Sequence, residues 1–151
     1  MKTLILMRHG QAEFSTGTDA QRSLTPQGQE QAVKAGLDLK QAGFTPQVIF
    51  CSPLLRAQQS AQLAGQTWGL TPVNTNDLDG HLSATGLLDF AQELFTLYDC
   101  AMLVGHNPNI SLVAGMLSEN YISFRPGDCA VFDVTDLDAP TLLFRSYHDD
   151  I

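Results

Sequence analysis

Three short, unbroken apolar runs, each leading directly into a polar cluster, limit what this chain can fold into. Thr3-Leu4-Ile5-Leu6-Met7 leads into Arg8-His9-Gly10, and Val48-Ile49-Phe50-Cys51 into Ser52-Pro53-Leu54-Leu55-Arg56-Ala57. Ala101-Met102-Leu103-Val104 leads into Gly105-His106-Asn107-Pro108. A strand with one wet face alternates apolar and polar residues, whereas an unbroken run marks a strand covered on both faces. The covering helices are readable between the runs. Thr25-Pro26 pairs a capping hydroxyl with a proline suited to the first helical position, and Ala32, Val33, Gly36, Leu37 and Leu39 give that helix an apolar stripe ending near Gly43. Ser52-Pro53 repeats the signal and opens a helix through Leu55, Gln59 and Leu63 towards Trp68. Residues 84–97 carry Leu87, Leu88, Ala91, Leu94 and Phe95 near helical spacing, and Asn107 can cap a helix that starts at Pro108 and carries Ile110, Val113, Ala114 and Leu117.

Residues 71–75 form a weaker strand candidate, and 129–134 with 141–147 suggest a closing hairpin. Strands alternating with helices predict a three-layer α/β/α sandwich with a mainly parallel sheet and an antiparallel edge supplied by the tail. No repeat or linker interrupts the pattern, so residues 1–151 read as one domain. No apolar run approaches the ~20 residues of a membrane span. The apolar start breaks at Arg8 without a small-residue cleavage site, which argues against a signal peptide and for a cytoplasmic location. Cys51, Cys100 and Cys129 lie in or beside apolar runs without metal-ligand spacing and read as reduced core thiols.

A formal net charge of −8 disfavours nucleic acid and anionic membrane as partners. Against that background the arginines are informative: of five, Arg8, Arg22 and Arg56 fall in the polar clusters or beside them. Open α/β sheets bind ligands beyond the carboxyl ends of their strands, and helix N-termini favour anions. Arg56 sits in a first helical turn, where its charge opposes the helix dipole unless an anion shares the site. Two arginines and two histidines meeting there describe an oxyanion pocket, since the guanidinium fork matches phosphate oxygens. Each cluster alone has a bland explanation: a chance tripeptide at Arg8-His9-Gly10, a helix start at Asn107-Pro108. Their joint occurrence, each after a buried strand, carries the inference. A metal on His9 and His106 is disfavoured because the flanking arginines repel a cation.

Leu6-Met7-Arg8-His9-Gly10, Ser52-Pro53-Leu54-Leu55-Arg56-Ala57-Gln58-Gln59 and Val104-Gly105-His106-Asn107 together resemble the signature of the histidine phosphatase superfamily, with its phosphoglycerate mutase-like fold. The short length and Arg22-Ser23-Leu24-Thr25-Pro26-Gln27-Gly28 make the chain most similar to SixA-type phosphohistidine phosphatases; the likeness covers residues 4 to about 117. It implies His9 as a nucleophile that becomes phosphorylated, and Arg8, Arg56 and His106 as ligands of the transferring phosphoryl oxygens, without a metal or other cofactor. Arg22, Gly10 and Asn107 are further candidates for substrate binding. An ordinary imidazole nucleophile would lose activity as it protonates between pH 8 and about 5.

Larger relatives place a carboxylic acid where this chain has Asp77-Leu78-Asp79-Gly80-His81-Leu82-Ser83, so His81 and Asp79 become the candidate general acids. A phosphohistidine leaving group has a pKa of about 6–7 and needs less acid help than an alkoxide. The stretch between Trp68 and Met102 is short and leaves little chain for a lid, which suits a phosphorylated side chain presented by another protein, such as a histidine-containing phosphotransfer domain. The alternatives are a phosphatase acting on small phosphate esters or on phosphoserine and phosphothreonine, and a phosphoprotein-binding module without activity.

Overall fold

The computed structural model describes residues 1–14 and 17–148. In chain order the elements are β1 (Thr3–Arg8), α1 (Pro26–Gln41), β2 (Val48–Cys51), α2 (Leu55–Gly65), β3 (Val73–Asn74), α3 (Ala84–Leu94), β4 (Cys100–Gly105), α4 (Asn109–Ser118), β5 (Cys129–Asp133) and β6 (Thr141–Ser146). They form the expected α/β sandwich around a six-stranded sheet of order β3-β2-β4-β1-β5-β6. The first four strands in that order are parallel, and the antiparallel pairs β1·β5 and β5·β6 complete the edge. β1 therefore lies inside the sheet, and alternate residues serve opposite cores. Leu4 and Leu6 pack with Leu103, Leu87 and Ala91 of α3 and Val113 and Leu117 of α4. Ile5 and Met7 pack with Met102, Val104, Ala32, Ala35 and Leu39 of α1 and Ala61 and Ala64 of α2. Two buried faces explain why no alternation is visible in the sequence of β1.

Thr25 caps α1 as expected, its Oγ1 accepting from the Gly28 N–H at 2.9 Å. The stripe differs from the sequence reading. Val33 and Leu37 are 38% and 55% exposed, while Ala32, Ala35, Gly36 and Leu39 face the core. The reason is a close helix contact: a Cβ on Gly36 would lie 2.6 Å from the Ala64 carbonyl oxygen of α2. Small residues carry that contact, and the larger apolar ones turn outward.

Helix α2 begins at Leu55 rather than at Pro53, with Leu54 in the capping position. Ser52 Oγ instead accepts from the Leu54 N–H at 3.2 Å, closing a turn ahead of the helix. Helix α3 stops at Leu94, three residues short of the expected end, and Trp68 lies in a 3-10 turn after α2. Helix α4 starts at Asn109 with Pro108 as its cap residue, because the Asn107 side chain is engaged elsewhere; the Asn107–Pro108 peptide is cis. Cys51 and Cys129 are buried and Cys100 is half-buried; burial pushes the thiols of Cys51 and Cys100 up to about 11. Among the described residues no helix is long and apolar enough to cross a membrane.

Candidate active site

The sheet brings the three polar clusters to one edge. Arg8 pairs with Gly105 in the β1–β4 register, and the His9 N–H donates to the Gly105 carbonyl at 3.0 Å, one step beyond the strand. On the other side of β4, the Ser52 N–H donates to the Val104 carbonyl at 3.1 Å. The His9 and His106 rings face each other with centroids 5.0 Å apart and planes tilted by 58°.

His9 is buried, 9% exposed, and its Nδ1 is 2.7 Å from the Gly10 carbonyl oxygen. A carbonyl only accepts, so Nδ1 carries the proton and Nε2 keeps its lone pair. Burial, opposed by the Gly10 hydrogen bond and reinforced by His106, Arg56 and Arg8, pushes the ring down to about 3. The imidazole is therefore held neutral throughout the range in which an ordinary histidine titrates, which moves the expected loss of activity to below pH 5. Burial, followed by Arg56, likewise pushes His106 down to about 4, and its Nε2 shares a 2.7 Å hydrogen bond with the Ser52 hydroxyl.

Arg8 donates from Nη1 to the Phe124 carbonyl at 3.0 Å, and burial lowers its pKa against the opposing pull of Asp128. Its Nε is buried without a protein partner among the described residues, a cost that native structures confine to few places. Arg56 occupies the second position of α2. It donates from Nη1 to the Asp19 carbonyl at 2.9 Å and from Nη2 to the Asp19 carboxylate at 3.2 Å. Arg22 reaches the other oxygen of that carboxylate at 3.1 Å and donates from Nε to the Glu13 carbonyl at 2.8 Å. Asp19 thus joins Arg22 to Arg56, and these two arginines hold its carboxyl below the usual carboxylate range. Sequence reading passed over Asp19, which sits in a 3-10 turn of a loop without periodicity, and gave Ser52 and Ser60 no part in the site. Ser60 was open to detection, because it lies one helical turn after Arg56: its Oγ donates to the Arg56 carbonyl and accepts from the Gly10 N–H at 2.9 Å.

Other candidates have different positions from those expected. The Gly10 N–H is engaged by Ser60, and a Cβ on Gly10 would lie 2.5 Å from the Gly28 carbonyl oxygen. Gly10 is needed for this close approach, and its amide is not offered to a ligand. Asn107 uses both ends of its amide inside the protein, donating to the Phe124 carbonyl at 2.9 Å and accepting from Ser111 Oγ at 2.7 Å. One carbonyl, that of Phe124, therefore anchors both Arg8 and the His106 loop. His81 and Asp79 form a hydrogen-bonded pair on an exposed loop, and Asp79 raises the His81 pKa. Asn109 ties that loop to α4 through the Leu82 carbonyl at 2.8 Å, beside His106. Among the described residues no group of three or more His, Cys, Asp or Glu could hold a metal ion.

Known proteins resemble the chain in sequence and in fold. The sequence profile described as "Histidine phosphatase superfamily (branch 1)" matches residues 4–80. Phosphoglycerate mutase 1 of Saccharomyces cerevisiae is 33% identical over 115 residues, 65% of this chain and 46% of its own length. A 2,3-bisphosphoglycerate-dependent phosphoglycerate mutase of Nitrosomonas europaea is 40% identical over 78 residues, 48% of this chain and 32% of its own. The chain thus spans less than half the length of these relatives. Among solved structures, the protein histidine phosphatase SixA complexed with tungstate superposes with a TM-score of 0.85 at 20% identity, covering 95% of each chain. A mycobacterial glucosyl-3-phosphoglycerate phosphatase with inorganic phosphate superposes with a TM-score of 0.72 at 18% identity, covering 95% of this chain and 96% of that one. At these identities the superpositions establish the fold.

Proposed function

The chain belongs to the histidine phosphatase superfamily, and from that premise we propose that it is a phosphohistidine phosphatase working through a covalent phosphohistidine on His9. The observation that carries the reading is the neutral His9 ring, its Nδ1–H committed to the Gly10 carbonyl and its Nε2 lone pair left for attack. In the first step Nε2 forms a bond to phosphorus as the bond between phosphorus and the substrate's imidazole nitrogen breaks. The leaving nitrogen takes a proton. In the second step water attacks phosphorus, the His9–phosphorus bond breaks, and inorganic phosphate and neutral His9 return.

Arg8, Arg56 and His106 surround His9 and serve the equatorial oxygens, the arginines through positioned positive charge and the neutral His106 ring through its N–H. The Asp19 carboxylate on Arg56 and Arg22 supports this role, because an oxyanion of the protein's own already lies against both guanidinium groups. The Asp79–His81 pair at the rim is the candidate proton donor: its carboxylate favours the protonated ring, which can supply a proton to a weakly basic leaving group. Between α2 and β4 the chain spends itself on β3 and on α3, which packs against α4 in the core, and so supplies no lid. A short connection there suits a phosphorylated side chain presented by a partner protein.

The runner-up is a phosphatase for small phosphate esters, favoured by the phosphoglycerate enzymes among the similar proteins. Brief incubation with labelled phosphohistidine protein, acid-free quenching and mapping of the label tests the proposal. Label on His9, absent in His9→Ala, is expected. Faster turnover of sugar phosphates than of phosphohistidine would favour the runner-up, and no label from any substrate would leave only a binding module.

A further inference from the structure

Helix α4 contains no charged residue from Asn109 to Ser118, although only one of its sides faces the core. Ile110, Val113, Ala114 and Leu117 are buried against the sheet and α3. A surface helix of this kind normally turns polar residues to water. Here the outer side presents Leu112 and Met116, 53% and 46% exposed, with Gly115 between them. Tyr121, 89% exposed, stands beyond the end of the helix. Together with Glu119 and Asn120 they line a groove of about 540 Å³ that begins at Asn107 and Pro108, directly after His106.

Gly115 weakens the helix relative to alanine, and none of the described residues crowds it closely enough to require it. A Cβ there would meet only the Asn120 carbonyl oxygen, at an ordinary 3.5 Å. By contrast, Gly10 and Gly36 are each forced by backbone within 2.6 Å. The floor of the groove is thus hollowed where the protein's own packing has no use for the space. The Tyr121–Ser123 wall continues into a second hollow that holds Arg125 and Arg145 together with Asp128. Arg145 is oriented there by the Tyr147 ring, 4.4 Å from its guanidinium carbon, and by a 3.3 Å hydrogen bond to the Ser123 carbonyl. In a chain of net charge −8, all five arginines therefore lie either in the candidate active site or beyond this apolar groove.

We propose that the groove is the docking site for an amphipathic helix of the phosphohistidine-bearing protein. The apolar face of that helix rests on Leu112, Gly115 and Met116, and an acidic residue on it faces Arg145. This rests on the reading of the site as a phosphohistidine phosphatase. The groove adjoins the loop carrying His106, so a helix seated on it lies beside the point where its phosphoryl group reacts. Arg145 at one end gives the partner a direction along the groove, because a like charge placed there would be repelled.

The test compares kcat/KM for three substrates: a folded histidine phosphotransfer domain phosphorylated with phosphoramidate, a short unstructured phosphohistidine peptide, and p-nitrophenyl phosphate. The wild type is expected to prefer the folded domain to the peptide by at least about tenfold, as a few buried apolar anchors carry most of an interface. Leu112→Glu/Met116→Glu, and separately Gly115→Leu, are expected to bring the domain down to the peptide's level while peptide and ester turnover stay unchanged. No preference in the wild type, or a preference that survives in both variants, overturns the proposal. So does a wild-type dimer in sedimentation that the variants dissolve, since a second copy then fills the groove. Hydrolysis of the ester with neither phosphohistidine touched overturns the functional reading itself, a result distinct from the others.

Discussion

Lowering the pH from 7 to about 4.5 should remove a large part of the folding free energy through His9 and His106. Both rings are buried neutral, at about 3 and about 4, whereas an unfolded histidine titrates near 6.5. A depressed folded pKa means that the unfolded chain binds more protons below 6.5, so stability is complete above that value and falls as pH drops towards the folded values. At pH 4.5 the unfolded rings are charged and the folded ones are not, which costs about 2–3 kcal/mol for each, or about 5 kcal/mol together. That compares with a total of about 5–15 kcal/mol for a domain. Buried His148, whose pKa is also lowered, acts in the same direction.

The carboxylates held low, among them Asp19, Asp38 and Asp99, lose their contributions only below about pH 4, outside this window. Urea unfolding at the two pH values measures the loss, and His9→Gln and His106→Gln should each remove about half of it. The reasoning is refuted if wild-type stability changes by less than about 1 kcal/mol, or if the double variant loses as much as the wild type.

Arg56→Ala should cut kcat by about 10²–10³, the usual effect of removing one donor to a developing oxyanion, with a wild-type circular dichroism spectrum; near-normal turnover would remove Arg56 from the mechanism. Because kcat/KM reports the free enzyme and His9 is already neutral, its profile between pH 8 and 5, corrected for substrate ionisation, should show no acid limb of ordinary histidine character. Gly10→Ala places a methyl group 2.5 Å from the Gly28 carbonyl oxygen and should destabilise the fold by about 1–3 kcal/mol, read as a lower Tm. Cys51 and Cys129 should react with a thiol reagent only on unfolding, and fast modification of either would contradict its burial.

Much of the site was legible because its parts sit where chain geometry leaves little choice. A residue directly after a buried parallel strand has to appear at the carboxyl edge of the sheet, so Arg8, His9 and His106 could be placed together from sequence. The misplacements share a physical origin in side chains that had two uses. Ser52 reads as a helix cap, yet its hydroxyl closes the turn before α2 and faces His106. Asn107 reads as a cap and as a ligand, yet both ends of its amide hold the His106 loop. On α1, apolar size pointed to Val33 and Leu37, but the approach of α2 at Gly36 selected small residues for the interface. Asp19 could not be found because a loop carries no period from which its position follows.

The place of β1 in the sheet governs when the pocket can exist during synthesis. Thr3 pairs with Cys100 on one side and Met7 with Cys129 on the other, so the first strand waits for residues that emerge far later. Arg8 also needs the Phe124 carbonyl, and Gly127 must donate to the carbonyls of Arg8 and His9. Such non-local pairing slows folding, because distant contacts reward the closure of long loops only once they form. A nascent chain that ends before Gly127 therefore carries His9 and both neighbouring arginines without the framework that aligns them. The aligned His9 site should appear late and all at once, when the hairpin of β5 and β6 adds to the sheet.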